Sequence, residues 1–179
     1  MEVDAKSKKI IADLKSTDQE LVLETIELIR ESGNRFTLAG IIDLLHDTKK
    51  PDIKKSILNL LSEMKDIESI PTLIAAIGNE KYSTERKDLV ASCWQNGLTY
   101  NSYLPFFIDL IILEEFLIAF EAFTVIENMV GKIEEEVIEK ETVKITEALK
   151  DATDQKAYFL NGLLTIIKDI PEKQEYTDL

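Results

Sequence analysis

Cysteine is nearly absent from this chain: Cys93 stands alone among 179 residues, which excludes an internal disulfide framework. Histidine is as scarce, with only His46, so a zinc site built from the usual Cys and His ligands is not expected. Six glycines and four prolines leave little material for long loops, and runs alternating β-branched and aromatic residues are lacking, so the class is all-α. No glycine-rich string that would cradle a phosphate occurs, and no cofactor is expected. The opening MEVDAKSKK lacks the apolar core and cleavage site of a secretory signal, so a cytoplasmic location is expected. Leu104 to Val130 is apolar and long enough to span a bilayer, but it carries Asp109, Glu114, Glu115, Glu121 and Glu127. An acid at the bilayer centre costs about 2.5 to 3.5 kcal/mol, so a membrane span is rejected.

What is present is an apolar triplet recurring at helical spacing: Ile10/Ile11/Leu14, Ile41/Ile42/Leu45, Leu73/Ile74/Ile77, Phe107/Ile108/Ile111 and, more weakly, Ile145/Leu149. The last members lie 31, 32, 34 and 38 residues apart, the period of stacked helix pairs and not of strands or heptads. Two echoes support repetition. Pro71 and Pro105 each precede a triplet, and LKSTDQ from Leu14 returns as LKDATDQ from Leu149. The expected pairs cover about 4–33, 35–66, 68–97, 101–131 and 134–169, in a single domain 1–170 followed by a polar tail 171–179 that begins at Pro171. Within them, helices are expected near 4–15 and 18–32, 36–47 and 51–65, 69–79 and 83–96, 102–113 and 115–130, and 134–151 and 154–169. Thr17 is the expected N-cap of the second helix, with Glu20 completing a capping box, and Pro51 suits a first helical turn.

The segments IPTLIAAIGNE (Ile70 to Glu80) and LPFFIDLIILEE (Leu104 to Glu115), each followed by a helix closed at Gly97 or Gly131, resemble the HEAT-repeat class of α-solenoids. The resemblance covers about residues 5–170 and implies a right-handed, HEAT-like α-solenoid of about five antiparallel helix pairs. Asp18 and Asp154 occupy corners where many HEAT repeats place an Asp. Arg86 with Lys87 opens the third pair's second helix, while the second pair has Lys54 and Lys55 there.

The net charge of -13 is unevenly placed. Residues 1–60 carry 10 basic and 11 acidic side chains, 61–120 carry 4 and 9, and 121–179 carry 7 and 14. Nucleic-acid backbones require a basic stripe, and the acidic half should repel them. The expected partner is a protein, and charge suits a basic one.

Each chemically suggestive group also has an ordinary explanation. His46 lies at a helix C-terminus, where a protonated ring is favoured, and Cys93 belongs to a segment expected to pack inward. Glu114/Glu115 and Glu134/Glu135/Glu136 fall near helix N-termini, and adjacent helical positions point about 100° apart, so they do not form an acid–base pair on one face. Lys49, Lys50, Lys54 and Lys55 read as exposed charge. The uncharged, aromatic-rich segment Trp94 to Phe107 spans a corner and offers Trp94, Tyr100 and Tyr103 as interface anchors. From Phe116 to Val130 apolar residues cover more than one packed face requires, and Phe116, Phe120 and Phe123 share a side at 3 to 4 residue spacing. These six are the candidate partner-binding residues. The favoured function is a non-catalytic protein-binding scaffold or adaptor. The alternatives are a HEAT-like enzyme, lyase or chaperone holding a small molecule or nucleobase in a groove, and self-association through the fourth pair.

Overall fold

The computed structural model describes residues 4–170. The described residues form ten α-helices and no strand: α1 (Ala5–Asp13), α2 (Gln19–Ser32), α3 (Arg35–Asp47), α4 (Pro51–Ser62), α5 (Ile70–Ile77), α6 (Arg86–Gln95), α7 (Leu104–Leu113), α8 (Phe116–Glu127), α9 (Glu135–Leu149) and α10 (Asp154–Asp169). Short 3-10 turns at Ile67–Ser69, Glu80–Tyr82 and Asn101–Tyr103 precede α5, α6 and α7. The tail expected from Pro171 lies outside the described residues. The chain divides into two compact units, Met1–Asn96 and Gly97–Leu179.

In the first unit α1 packs on α2 and α3, α3 on α4 and α5, α2 on α4, α4 on α6, and α5 on α6. Besides the contacts between consecutive helices, odd helices therefore pack on odd helices and even on even. The recurring triplets supply the odd layer: Ile10, Leu14, Ile41, Ile42, Leu45, Leu73, Ile74 and Ile77 are all buried. Val22, Ile26, Ile53, Ile57, Leu61, Leu89 and Val90 answer them from the even layer. Each such side chain contributes roughly 1.5 to 3 kcal/mol by leaving water.

Local chemistry sets the helix starts. Thr17 is not the N-cap of α2. Asp18 takes that place, its carboxylate accepting from the Glu20 and Leu21 amides at 3.0 and 3.4 Å. A carboxylate there satisfies two orphan amides and also meets the positive end of the helix dipole, which a hydroxyl does not. Asn34 and Thr37 form a reciprocal capping box on α3, and Pro51 opens α4 as expected.

In the second unit α7 packs on α8, α9 on α10, α7 on α9, and α8 on α10, with α10 also touching α7. Phe107, Ile108, Ile111, Ala122, Ile126, Ile145, Leu160, Leu163 and Ile167 are fully enclosed. The apolar run from Leu104 is broken at Glu114 and Glu115 into two helices that pack on each other, and no described helix is long and apolar enough to cross a membrane. Gly97 (φ 67°) and Gly131 (φ 87°) adopt the left-handed conformation after α6 and α8 that favours glycine.

Candidate partner-binding surface

The second unit exposes an aromatic ridge. On α8 one side, Ile118, Ala119, Ala122, Val125 and Ile126, is buried. The helix has further apolar side chains on its other side, so they cannot share that core. Phe116 is 43% exposed, Leu117 55% and Phe120 48%.

The floor of the ridge comes from α10. Phe159 is buried, and its ring centroid lies 5.3 Å from that of Phe116, 6.3 Å from Phe120 and 5.5 Å from Phe123. Phe116 and Phe120 stack at 6.4 Å, and Tyr158, almost fully exposed, meets the Phe159 ring edge at 6.2 Å. A methyl group at Gly162 would stand 3.3 Å from the Phe123 ring, so the glycine lets that ring settle against α10. The structure thus brings together the three phenylalanines expected to share a face. Phe159 was not expected to join them, because its partners lie about forty residues away and helical spacing within one segment carries no sign of them.

Charge frames the ridge with acids. Glu114 and Glu115 form the corner before it, Glu121 lies one turn beyond Leu117, and Asp154 one turn before Tyr158. Lys156, the lysine nearest Tyr158 in sequence, donates to the Ile112 and Glu114 carbonyls, placing its cation at the negative end of α7.

The aromatic corner behaves differently. Tyr100 is 2% exposed and packs edge-on against Phe107 at 5.9 Å, so its ring belongs to the core of the second unit. Tyr103 is half-buried in the turn before α7. Trp94, on α6 of the first unit, is 36% exposed.

The polar groups of the first unit are engaged with one another. His46 Nδ1 lies 2.9 Å from Oε2 of the buried Glu85, with the Tyr82 ring edge-on at 5.8 Å. The Asp43 carboxylate accepts from Tyr82 at 2.7 Å and pairs with Lys81. Burial alone would raise the Asp43 pKa, but the Lys81 and Tyr82 hydrogen bonds and the Lys81 charge outweigh it and hold the carboxyl below its ordinary value. Burial and the neighbouring Asp43 carboxylate push the Tyr82 phenol up. Arg86 donates to the Ile77 carbonyl at 2.9 Å and to Glu80 at 2.8 Å. These contacts tie α3 and the end of α5 to the start of α6.

An imidazole beside a buried carboxylate has the form of a general base, yet the chain's thiol is not presented to it. Cys93 is buried and donates to the Leu89 carbonyl of its own helix at 3.6 Å. One cleft of the first unit, about 480 Å³, is lined by Ile11, Leu14, Val22, Leu44 and Ile53 and rimmed by Lys15, Asp43, Asp47 and Lys50. None of its lining residues is aromatic, so it offers no stacking face to a nucleobase. No group of three or more His, Cys, Asp or Glu among the described residues is placed to hold a metal ion.

Comparison with protein-family models gives no match, and neither does comparison with curated proteins.

Proposed function

We propose that the chain is a non-catalytic adaptor whose helix pairs stack as a right-handed, HEAT-like solenoid, about five pairs in all, and whose second unit presents the Phe116/Phe120 ridge to a protein partner. The odd-on-odd and even-on-even packing inside each unit supports the stacked arrangement, since it is how neighbouring pairs bury one another's faces. The observation that carries the functional reading is the ridge itself. Two large rings and Leu117 stand about half exposed while a buried ring braces them from below. Preorganised aromatics of this kind supply contact area at little cost in side-chain entropy.

Site-directed cross-linking tests the reading. A photoreactive phenylalanine analogue at position 120, and in a separate variant at Val143 on α9, is expressed in the source cell and irradiated. A discrete protein adduct at position 120, absent at position 143, is the expected result. Equal labelling at both positions, or no adduct at 120, would refute it.

A further inference from the structure

We propose that the occupant of the ridge is a cationic amphipathic helix, with apolar side chains at i, i+3 or i+4, and i+7 and with Lys or Arg on its flanks. The inference rests on the adaptor reading and adds the chemistry of the partner.

The apolar component is a strip and not a pit. Phe116, Leu117 and Phe120 span the first turns of α8, Leu113 at the end of α7 is 78% exposed, and Tyr158 projects from the first turns of α10. Past Phe120 the outer positions turn polar, with Thr124 on α8, Asn128 capping it, and Asn161 and Thr165 on α10. A short apolar strip with polar ends suits one face of a helix. No strand exists among the described residues to accept an added strand.

Charge chooses among helical occupants. Residues 97–179 hold seven lysines, no arginine and seventeen acids, a net charge of -10. Glu115 immediately precedes Phe116, and Asp154 lies one turn before Tyr158, while Lys156 donates to backbone carbonyls. A second copy would bring the same acids against these, and an anionic lipid surface would meet the same repulsion. A helix carrying Lys and Arg beside its apolar face instead gains attraction on approach and pairs at the rim.

Two synthetic helices test this, each about 15 residues long to sustain a helix: one of Leu and Lys, the other of Leu and Glu with the same apolar face. Each is titrated into the full chain by fluorescence anisotropy, alongside sedimentation of the chain alone. The Leu/Lys helix is expected to bind and the Leu/Glu helix to fail. Phe120→Ser should weaken Leu/Lys binding about tenfold or more, whereas Val143→Ser, which alters an exposed apolar side chain on α9, should not. Glu115→Lys combined with Asp154→Lys, which leaves every ring in place, should weaken binding as well. Binding unaffected by Phe120→Ser would reduce the interaction to general charge attraction and overturn the proposal. Equal binding of the Leu/Glu helix, or no binding of either, would overturn it too. A dimer in sedimentation that Phe120→Ser dissolves would make a second copy the occupant. If position 120 cross-links to a protein but the Leu/Lys helix does not bind, the partner chemistry fails while the adaptor reading stands. If no adduct forms, the adaptor reading fails.

Discussion

Both units carry long-range polar ties, but among the described residues only the second leaves a cluster of large rings at its surface. The first, with a net charge of -3, joins its polar groups to one another: Asp43 joins Lys81 and Tyr82, His46 joins Glu85, and Arg86 reaches the end of α5. The second, at -10, has more apolar surface than its core can absorb and leaves part of it on α8. Similar helix pairing therefore serves two purposes. Long-range polar ties serve a unit's own cohesion, whereas a half-exposed aromatic strip keeps contact area available for another molecule.

The largest predicted effect probes cohesion in the second unit, at its single deeply buried carboxylate among the described residues. Glu141 on α9 has no exposed surface, and neither of its oxygens accepts a well-aligned hydrogen bond, but Lys144 stands 2.7 Å away and also reaches Asp109 on α7 at 2.9 Å. Burial would lower the lysine pKa, and the two carboxylates outweigh it and raise it. Its stabilising contribution is thus fully present below the ordinary lysine pKa and is lost as pH rises through the raised value. Lys144→Met leaves a buried charge unpaired and should cost about 3 to 5 kcal/mol in urea unfolding, with Lys144→Met/Glu141→Met recovering most of it. A loss below about 1 kcal/mol for the single variant would show that water reaches Glu141.

A smaller effect is expected at Arg86, which is 6% exposed. Arg86→Met keeps the length of the side chain but orphans the Ile77 carbonyl, so a loss of about 1 to 3 kcal/mol is expected by the same measurement. A loss well below about 1 kcal/mol would show that water replaces the guanidinium at the Ile77 carbonyl.

Smaller again is the acid response of Asp43. Its folded pKa is depressed, so its contribution is present above the ordinary carboxylate value near 3.8 and is lost as pH falls through the lowered one. Asp43→Asn should therefore be less stable than the parent at neutral pH and converge with it at acidic pH, followed by thermal melting across that range. A gap independent of pH would remove the ion pair from the explanation.

The odd-layer core was legible in the sequence because triplet spacing is a local, helical signal. Ile41, Ile42, Leu45, Leu73, Ile74, Ile77, Phe107, Ile108 and Ile111 are buried where the period places them, while Leu149 at the weakest triplet is only half-buried. Helix ends were less legible. α6 begins at Arg86, later than expected, because residues 80–82 form a separate 3-10 turn, and α8 stops at Glu127. The polar ties were not legible at all, since His46 and Glu85, or Asp43 and Tyr82, are 39 residues apart and meet only when the helices stack. The same holds for the ridge. Helical spacing gathered Phe116, Phe120 and Phe123, but whether they would be covered depended on α10, which braces them through Phe159 without hiding Phe116 and Phe120. Tyr100 shows the converse, an amphipathic ring that the fold encloses.

The most direct test is to unfold Phe116→Ser/Phe120→Ser beside Phe159→Ala in urea. If the ridge is a surface kept for a partner, the double variant should lie within about 1 kcal/mol of the parent, while loss of the buried Phe159 ring costs about 3 to 5 kcal/mol. Comparable losses in both would make the ridge part of the folding core and contradict its assignment as a binding surface.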